Sequence, residues 1–237
     1  MLLSIIIASY STRELLEQCL DSVIKSLSCR PDSSYRHPNP AKGGADDPPA
    51  GGQDLPTEII VVDNNSRDDS VKMLKNLKLN PPAGGLKLKI ITNNDNLGFA
   101  KANNQGIKIA RGKYIMLLNS DTIIQDNALG ILVDYLENHP DTAAVSPLLL
   151  NPDQTPQLEY FMKFPNLWQI FFYHNRILRP FCKFVPGLKN KIYIFPQEKP
   201  FQSEQLPGAA LMARREAFQK VGLLDEDYPF FYEDVDW

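Results

Sequence analysis

The chain has 237 residues, a formal net charge of -3 and 43% hydrophobic residues. This composition indicates a folded domain with a large core, and the near-neutral charge argues against a general nucleic-acid binder, which is usually strongly basic. The three cysteines, Cys19, Cys29 and Cys182, are scattered and odd in number, so they indicate a reducing compartment rather than a disulfide framework.

Hydrophobic periodicity predicts strands that alternate with helices. Strands are predicted at 2–8, 58–62, 86–92, 115–118 and 143–146, and helices at 11–26, 69–77, 99–110 and 127–138. Ser11 and Glu14 have capping-box spacing at the first helix, and Asn127 can cap the last one. The alternation predicts an α/β fold, a mostly parallel sheet flanked by helices, as one domain over 1–237.

Residues 30–56 have a different composition. They are rich in Pro, Gly and Asp and contain almost no apolar side chains, so they cannot offset the entropy of ordering. We predict a disordered insertion here, and a tolerated surface loop explains it better than a docking loop. His37 lies in this insertion and receives no chemical role.

Polar side chains follow the predicted strands where each strand ends. The candidates for a nucleotide site are Ser9, Tyr10, Asp63, Asn65, Asn96, Gly98, Asn104 and Ser120. Since the carboxyl ends of parallel strands share one edge, these residues are predicted to converge there. Carboxylates and amides can bind a base or ribose, and Gly98 allows close backbone approach. For any single Asn, turn formation or helix capping explains the residue at least as well.

Two acidic parts of the chain are candidates for metal binding and for general base catalysis. Asp121 follows a buried apolar strand, and one carboxylate plus substrate phosphates is a common way to hold Mg²⁺ or Mn²⁺. The segment 223–236 places carboxylates among aromatic residues, where burial would raise their pKa values and suit a general base. The alternatives are a turn cap at Asp121 and a solvent-exposed acidic turn at 223–236.

Six segments resemble one enzyme family. They are IIIASY (5–10), IVVDNNS (60–66), NLGFAKANNQG (96–106), LLNSDT (117–122), LPGAALMARR (206–215) and FFYEDVD (230–236). In this order they are similar to the family 2 inverting glycosyltransferases of the GT-A fold, particularly the bacterial rhamnosyltransferase-like branch. The resemblance spans nearly the whole chain, and the segments are jointly specific.

The resemblance implies the following roles. Asp63 would contact the nucleotide, and Asn104 would help to shape its pocket. Asp121 would hold the metal as the last acid of an Asp-x-Asp-like motif, in which Asn119 stands in place of the first acid. Gly208 and Ala209 would line the donor-sugar site, and Asp234 would be the catalytic base, with Glu233 beside it. Residues 114–237 would then form the metal, donor-sugar and acceptor half. The donor would be a UDP- or dTDP-sugar and the acceptor a glycan or a lipid-linked glycan, in bacterial cell-surface polysaccharide synthesis.

The chain departs from the family in its long insertion and in stopping at Trp237, directly after the base motif. Relatives usually continue, so a truncated C-terminus is expected, and a non-catalytic sugar-nucleotide-binding fragment is the alternative function. A nucleotidyltransferase would need a Gly-rich basic loop after the first strand, and a dinucleotide oxidoreductase a G-x-G-x-x-G motif. Neither motif follows the first strand.

Residues 161–195 are basic, aromatic and free of acids. Such a segment suits peripheral contact with an anionic membrane surface, and a core-packing insert with a solvated basic face explains it equally well. The N-terminus lacks a basic leader, and no stretch has the length of a membrane span. We therefore expect a cytoplasmic protein, with the inner face of the membrane as one location.

Overall fold

The computed structural model describes residues 1–28, 55–77, 86–157, 164, 167, 187, 200–228 and 232–237. The predicted disordered insertion 30–56 lies outside these residues except for Leu55 and Pro56. Most of the basic segment 161–195, together with Cys29 and Cys182, also lies outside them.

The chain forms two compact units, one of Met1–Pro147 with Gly208–Trp237 and the other of Leu148–Pro207. The larger unit holds a sheet of six strands, in the order β3-β2-β1-β4-β6-β5. The strands are β1 (Leu3–Ser9), β2 (Thr57–Asp63), β3 (Lys87–Thr92), β4 (Tyr114–Asn119), β5 (Ala144–Val145) and β6 (Ala210–Arg214).

The first four strands are parallel, as predicted. Strand β6 pairs antiparallel with β4, and β5 pairs antiparallel with β6, so the sheet is mixed. Sequence patterns did not predict β6, and it supplies the strand that continues the sheet beyond β4. The fold class is therefore confirmed, with an antiparallel extension at one side.

The helices connect and cover the sheet. They are α1 (Arg13–Ser28), α2 (Ser70–Asn76), α3 (Gly98–Ile109), α4 (Ala128–Asn138), α5 (Arg215–Val221) and α6 (Glu233–Asp236). Helix α3 packs against β1 and β2, and α1 packs against α4. Gly106 on α3 permits this packing, because a Cβ atom there would lie 2.5 Å from Ile6 Cγ2.

The core follows from the apolar runs of β1, β2 and β4. Residues 5–7, 59–62 and 115–118 are all buried, as expected of parallel strands that are covered on both faces. Cys19 on α1 is buried with them, as predicted.

A buried carboxylate stabilises the opposite edge of the sheet, at the amino ends of the strands. Glu58 is 1% exposed, and its carboxylate accepts hydrogen bonds from Ser4 Oγ (2.7 Å) and the Arg111 N–H (2.6 Å). Lys89 Nζ lies 2.7 Å from the second oxygen of Glu58. These partners offset the cost of burying the charge, so we assign Glu58 a structural role.

Arg214, at the end of β6, binds the C-terminal end of α4. Its guanidinium donates to the carbonyls of Leu136, His139 (3.1 Å) and Thr142 (2.8 Å), and lies over the Tyr114 ring at 5.7 Å from its centroid. The carbonyls at the end of a helix lack partners within the helix, so a planar cation with several donors suits this position.

Two predicted helix caps differ in detail from the structure. Ser11 Oγ accepts the Arg67 N–H at 3.3 Å, in a neighbouring loop, so the predicted capping box with Glu14 is wrong. Thr12 lies directly before α1, and its carbonyl accepts the Leu16 N–H. Asn127 does precede α4, but its side chain makes no capping hydrogen bond.

The smaller unit is described mainly at its two ends. Residues 149–157 form a turn in which Leu150 bridges Pro156 and Asp153 Oδ1 accepts the Thr155 N–H at 3.0 Å. The Phe164 N–H donates to Glu204 at 2.8 Å. Among the described residues of both units, no helix is long and apolar enough to cross a bilayer.

Candidate active site

The predicted convergence of strand ends is present in the larger unit. Ser9 pairs with Asp63 across β1 and β2, and Ala8 pairs with Asn119 across β1 and β4. The loops that follow β1, β2 and β4 therefore start side by side at one edge of the sheet. This is the edge at which open α/β sheets bind ligands.

A chain of three hydroxyl groups connects the ends of β1 and β4. Thr12 Oγ1 lies 3.0 Å from Ser9 Oγ and 3.0 Å from Ser120 Oγ. Ser9 and Ser120 are among the predicted site residues. Thr12 is not, because the sequence pattern around it predicts only the start of a helix. Thr12 fixes the distance between the two predicted residues.

The loops after β1 and β2 are joined by hydrogen bonds of their own. The Ser11 N–H donates to Ser66 Oγ at 2.8 Å, and the Arg13 N–H donates to Asp68 Oδ2 at 2.9 Å. Burial acts to raise the pKa of Asp68, but hydrogen bonds from Ser70 and Arg13 hold it below its usual value. An ionised Asp68 therefore ties the start of α1 to the neighbouring loop.

Asp63 has one occupied and one free carboxylate oxygen. The residue is 2% exposed, and its Oδ2 accepts the Ser66 N–H at 3.0 Å. Its Oδ1 is buried and has no hydrogen-bond partner among the described residues. A buried acceptor without a partner is costly, so this oxygen is suited to a ligand donor.

Tyr10 and Asn65 lie on the same two loops. Tyr10 is 45% exposed, so its ring is accessible beside the edge. Asn65 is half-buried and has a left-handed backbone, with φ of 66°. Asparagine adopts this conformation more readily than most residues, so the turn accounts for the backbone of Asn65, and its role in ligand binding stays a prediction.

Asn104 has a contact that the sequence did not indicate. Its Nδ2 donates to the Leu224 carbonyl (2.8 Å) and to Glu226 Oε1 (2.9 Å), and its Oδ1 accepts the Leu224 N–H (3.1 Å). Both ends of the amide are thus engaged. Asn104 holds the segment that begins at Leu224 against α3.

Asn96 and Gly98 shape the start of α3. Asn96 Oδ1 accepts the Gly98 N–H at 3.0 Å, and the φ of Gly98 is 82°. Asn64, the neighbour of Asp63, donates from Nδ2 to the Gly98 carbonyl at 3.1 Å. The loop after β3 is therefore attached to the loop that carries Asp63.

The contact between β4 and β6 brings the C-terminal acidic segment to this edge. The Asn119 N–H donates to the Ala209 carbonyl at 2.9 Å, directly before β6 begins. The Gly208 N–H donates to Asp234 Oδ2 at 2.7 Å, and a Cβ atom on Gly208 would lie 3.0 Å from Asp234 Cβ. Asp234 therefore lies at the same edge as Asp121, which follows Asn119 by two residues.

The position of helix α6, which carries Asp234, is set by the residues on either side of it. Tyr232 precedes it with a left-handed backbone, with φ of 71°. Trp237 stacks on Phe218 at 4.5 Å between ring centroids and donates from Nε1 to the Gly222 carbonyl at 2.9 Å. These contacts attach the acidic helix to α5, and α5 follows β6 directly.

Glu233 is the buried member of the acidic pair. It is 7% exposed, and its Oε2 has no hydrogen-bond partner among the described residues. Burial, with the charge of Asp234 as a smaller contribution, raises the pKa of Glu233. The raised pKa predicted for carboxylates of this segment is thus found at Glu233.

Asp121 offers a single exposed carboxylate to which a cation could bind. It is exposed, and its carboxylate has no hydrogen-bond partner among the described residues. Within the same residues, no cluster of three or more Asp, Glu, His or Cys side chains could hold a metal ion. A cation here would therefore need ligand phosphates and water in addition to Asp121.

The charge of Asp121 also affects Cys19. Burial, followed by the charge of Asp121, raises the pKa of the Cys19 thiol to about 12. Cys19 Sγ donates to the Asn119 carbonyl at 3.5 Å. Cys19 is therefore a protonated packing residue beneath the edge, not a nucleophile.

Comparison with known proteins gives both relatives and structural neighbours. The chain is 24% identical over 183 residues to the dTDP-rhamnosyl transferase RfbF of Shigella flexneri, covering 76% of this chain and 52% of that protein. It is 32% identical over 89 residues to a poly-beta-1,6-N-acetyl-D-glucosamine synthase of Staphylococcus epidermidis, covering 38% of this chain and 20% of that protein.

Among solved structures, the mannosyltransferase PcManGT of Pyrobaculum calidifontis, in complex with GDP-Man and Mn²⁺, matches with a TM-score of 0.58. Its sequence is 17% identical, and the match covers 99% of this chain and 49% of that one, so it shows the shared GT-A fold. The chain thus spans about half the length of RfbF and of PcManGT.

The sequence profile described as Glycosyl transferase family 2 matches residues 4–221. That match begins in β1 and ends with α5, so it includes every strand and the Asp63 and Asp121 positions. The chain belongs to glycosyl transferase family 2.

Proposed function

We propose that this protein transfers a sugar from a nucleoside diphosphate donor to an acceptor hydroxyl, with inversion at the anomeric carbon. The observation that carries the proposal is the placement of Asp121 and Asp234 at one sheet edge, through the Asn119–Ala209 and Gly208–Asp234 hydrogen bonds. An inverting transfer needs a base for the acceptor and stabilisation of the departing diphosphate, and these two carboxylates are suited to the two tasks.

Asp234 is the proposed general base. Its carboxylate accepts the proton of the acceptor hydroxyl while the acceptor oxygen bonds to the anomeric carbon. The bond from that carbon to the diphosphate oxygen breaks at the same time, and the nucleoside diphosphate leaves with the electron pair. The Gly208 N–H donates to Asp234 Oδ2 at 2.7 Å and the Val235 N–H donates to Oδ1 at 2.9 Å, so both oxygens are held in place, and each has a second lone pair that could accept the proton.

Asp121 is the proposed residue for a divalent cation, Mg²⁺ or Mn²⁺. Such a cation, when bound, would stabilise the negative charge of the diphosphate as a Lewis acid. The exposed carboxylate of Asp121 can contribute one oxygen, and the donor phosphates contribute others. Ser120 and Ser9, fixed by Thr12, support this loop.

Asp63 is the proposed base-recognition residue. Its free Oδ1 accepts one hydrogen bond, and Ser66 already occupies Oδ2. Uracil and thymine present one imide N–H at this edge, whereas cytosine and adenine present an acceptor in the corresponding ring position. Guanine presents adjacent ring and amino N–H groups that would use both oxygens. The donor is therefore proposed to be a UDP- or dTDP-sugar.

The acceptor is proposed to be a glycan, free or lipid-linked, in bacterial cell-surface polysaccharide synthesis. The support is the similarity to RfbF and to the poly-beta-1,6-N-acetyl-D-glucosamine synthase. Peripheral membrane contact through 161–195 belongs to the same proposal, and liposome flotation with charge reversal at Arg176 and Arg179 tests it.

The test is release of nucleoside diphosphate from a panel of UDP-, dTDP- and GDP-sugars with Mn²⁺. Asp234→Asn should lower release by at least about a hundredfold while donor binding is kept, because the base alone is lost. Asp236→Asn is the matched control, since it makes the same change at an exposed position on the same helix.

The outcomes separate the alternatives. Normal turnover by Asp234→Asn would refute the assignment of the base. Donor binding without release from the wild-type chain would favour a non-catalytic sugar-nucleotide-binding protein. For the cation, Mn²⁺ should strengthen nucleotide binding in the wild type but not in Asp121→Ala.

A further inference from the structure

The carboxylate of Asp121 is not oriented by any contact of its own. The side chain is exposed and has no hydrogen-bond partner among the described residues. Its backbone lies in a turn in which the Thr122 N–H donates to the Asn119 carbonyl at 3.2 Å. The direction of the carboxylate therefore depends on the backbone of residues 119–124, which we call the Asp121 loop, and on the groups that fix this backbone.

Ser22 of α1 fixes one end of the Asp121 loop. Its hydroxyl donates to the Cys19 carbonyl at 2.7 Å and accepts the Ile124 N–H at 2.9 Å. Ser22 and Ile124 are each 8% exposed, so the Ile124 N–H would be left buried without a partner if the serine hydroxyl were removed. Ser22 therefore attaches the loop to α1 on the C-terminal side of Asp121.

The other end of the Asp121 loop is attached to the same helix. Thr12 lies directly before α1, and its Oγ1 is 3.0 Å from Ser120 Oγ. Cys19, in the second turn of α1, donates from Sγ to the Asn119 carbonyl at 3.5 Å. The loop is thus held to one helix on both sides of its carboxylate.

Helix α1 is itself held firmly in the fold. Leu16, Leu20 and Val23 on this helix are fully buried, and α1 packs against α4. A group that orients a metal ligand is effective only when packing fixes the group itself. The buried face of α1 therefore provides a rigid support for the Asp121 loop.

We propose that Ser22 is a positioning residue for the divalent cation, because it holds the Asp121 loop, through the Ile124 N–H, in the conformation that binds the cation. Thr12 has the same role through Ser120. The proposal rests on the proposed function and deepens it, since it assigns the geometry of the cation site to α1. When one of these hydrogen bonds is lost, the loop populates other conformations, and the apparent affinity for the cation falls with the competent fraction.

The test is the enhancement of nucleotide binding by Mn²⁺, defined as the Kd in EDTA divided by the Kd in Mn²⁺. It is measured by calorimetry with UDP and with dTDP on the full chain. Ser22→Ala should lower the enhancement at least about threefold, as for the loss of one hydrogen bond. The Kd in EDTA should stay within about twofold of the wild-type value, because the loop after β2 that carries Asp63 is untouched.

Ser26→Ala is the matched control on the same helix. Ser26 is 2% exposed, and its Oγ has no hydrogen-bond partner among the described residues. Its replacement removes a buried hydroxyl without freeing the Asp121 loop, so the wild-type enhancement should be kept.

Thr12 offers a second pair of variants. Thr12→Val removes the hydroxyl at nearly constant size and should lower the enhancement, whereas Thr12→Ser keeps the hydroxyl and should restore it. This pair carries the test if Ser22→Ala does not fold.

Wild-type enhancement in both Ser22→Ala and Thr12→Val would overturn the inference, and so would an equal loss in Ser26→Ala. In either case Asp121→Ala should still abolish the enhancement, so the proposed function would stand. Absence of enhancement in the wild type, or of binding by both nucleotides, would overturn the proposed cation role of Asp121 and this inference together.

Discussion

Replacing Gly208 by Ala tests the geometry of the proposed active site most directly. A Cβ atom at this position would lie 3.0 Å from Asp234 Cβ and 3.2 Å from Asp234 Oδ2. Ordinary van der Waals contact begins at 3.4 Å. The Asp234 side chain would therefore have to move by about 0.4 Å, the difference between 3.4 and 3.0 Å, and the hydrogen bond from residue 208 would be distorted.

The size of the effect follows from this displacement. A misplacement of about 1 Å at a reacting group costs roughly a hundredfold in rate, so about 0.4 Å corresponds to roughly a sixfold loss. We expect kcat for nucleoside diphosphate release to fall by about threefold to tenfold in Gly208→Ala. Nucleotide affinity should change by less than about twofold, because Asp63 and Asp121 are untouched.

Gly106→Ala is the comparison variant. A Cβ atom there would lie 2.5 Å from Ile6 Cγ2, within the helix–sheet packing, so it should cost about 1–3 kcal/mol in the free energy of unfolding. Its kcat per folded molecule should be unchanged, as measured by activity together with urea denaturation. Wild-type kcat in Gly208→Ala, or equal kcat losses in both variants, would refute the reasoning.

Three further predictions concern stability. Burial acts to raise the pKa of Glu58, but hydrogen bonds from Lys89, Ser4 and the Arg111 N–H hold it below its usual value of 4.5. The ionised carboxylate therefore stabilises the folded state above pH 4.5, and this stabilisation is lost as the pH falls further. Glu58→Gln should make the midpoint of thermal unfolding less dependent on pH in this range. Glu233 should have the opposite effect on the pH dependence of stability, because its pKa is raised in the folded state. The folded state favours the protonated carboxyl, so stability falls as the pH rises above 4.5. Glu233→Gln should therefore have a higher melting temperature than the wild type at about pH 7. Arg214→Lys should cost about 1–3 kcal/mol, because two separate guanidinium nitrogens, Nε and Nη2, bind the carbonyls of Leu136, His139 and Thr142, and a single ammonium nitrogen cannot occupy both positions. An unchanged urea midpoint would contradict this.

The parallel half of the fold could be predicted from the sequence because its signals are local. Residues 5–7, 59–62 and 115–118 are uninterrupted apolar runs, and polar residues mark the end of each strand. The convergence of Ser9, Asp63 and Ser120 follows from strand direction alone, and the structure confirms it.

The missed features depend on contacts between distant parts of the chain. Strand β6 covers only five residues, and its pairing with β4 joins positions about 100 residues apart, which no periodicity reports. Periodicity also cannot report the contact of Asn104, whose side-chain amide donates a hydrogen bond to the Leu224 carbonyl, 120 residues later in the chain. Thr12 was missed for a different reason, since two hydroxyl residues compete for one cap and only tertiary structure decides between them.

The antiparallel strand β6 explains how two distant acidic segments act at one place. A parallel strand beside β4 would begin at the opposite edge, and the residues before it would lie far from Asp121. Because β6 runs antiparallel, its start lies beside the end of β4, where Ala209 pairs with Asn119 and Gly208 reaches Asp234. The reversal of strand direction is thus the structural feature that places the proposed base at the edge where the parallel strands end. A change that weakens the β4–β6 pairing should therefore reduce transfer before it reduces nucleotide binding, since Asp63 lies at the end of β2 and is held by the pairing of β2 with β1 and β3.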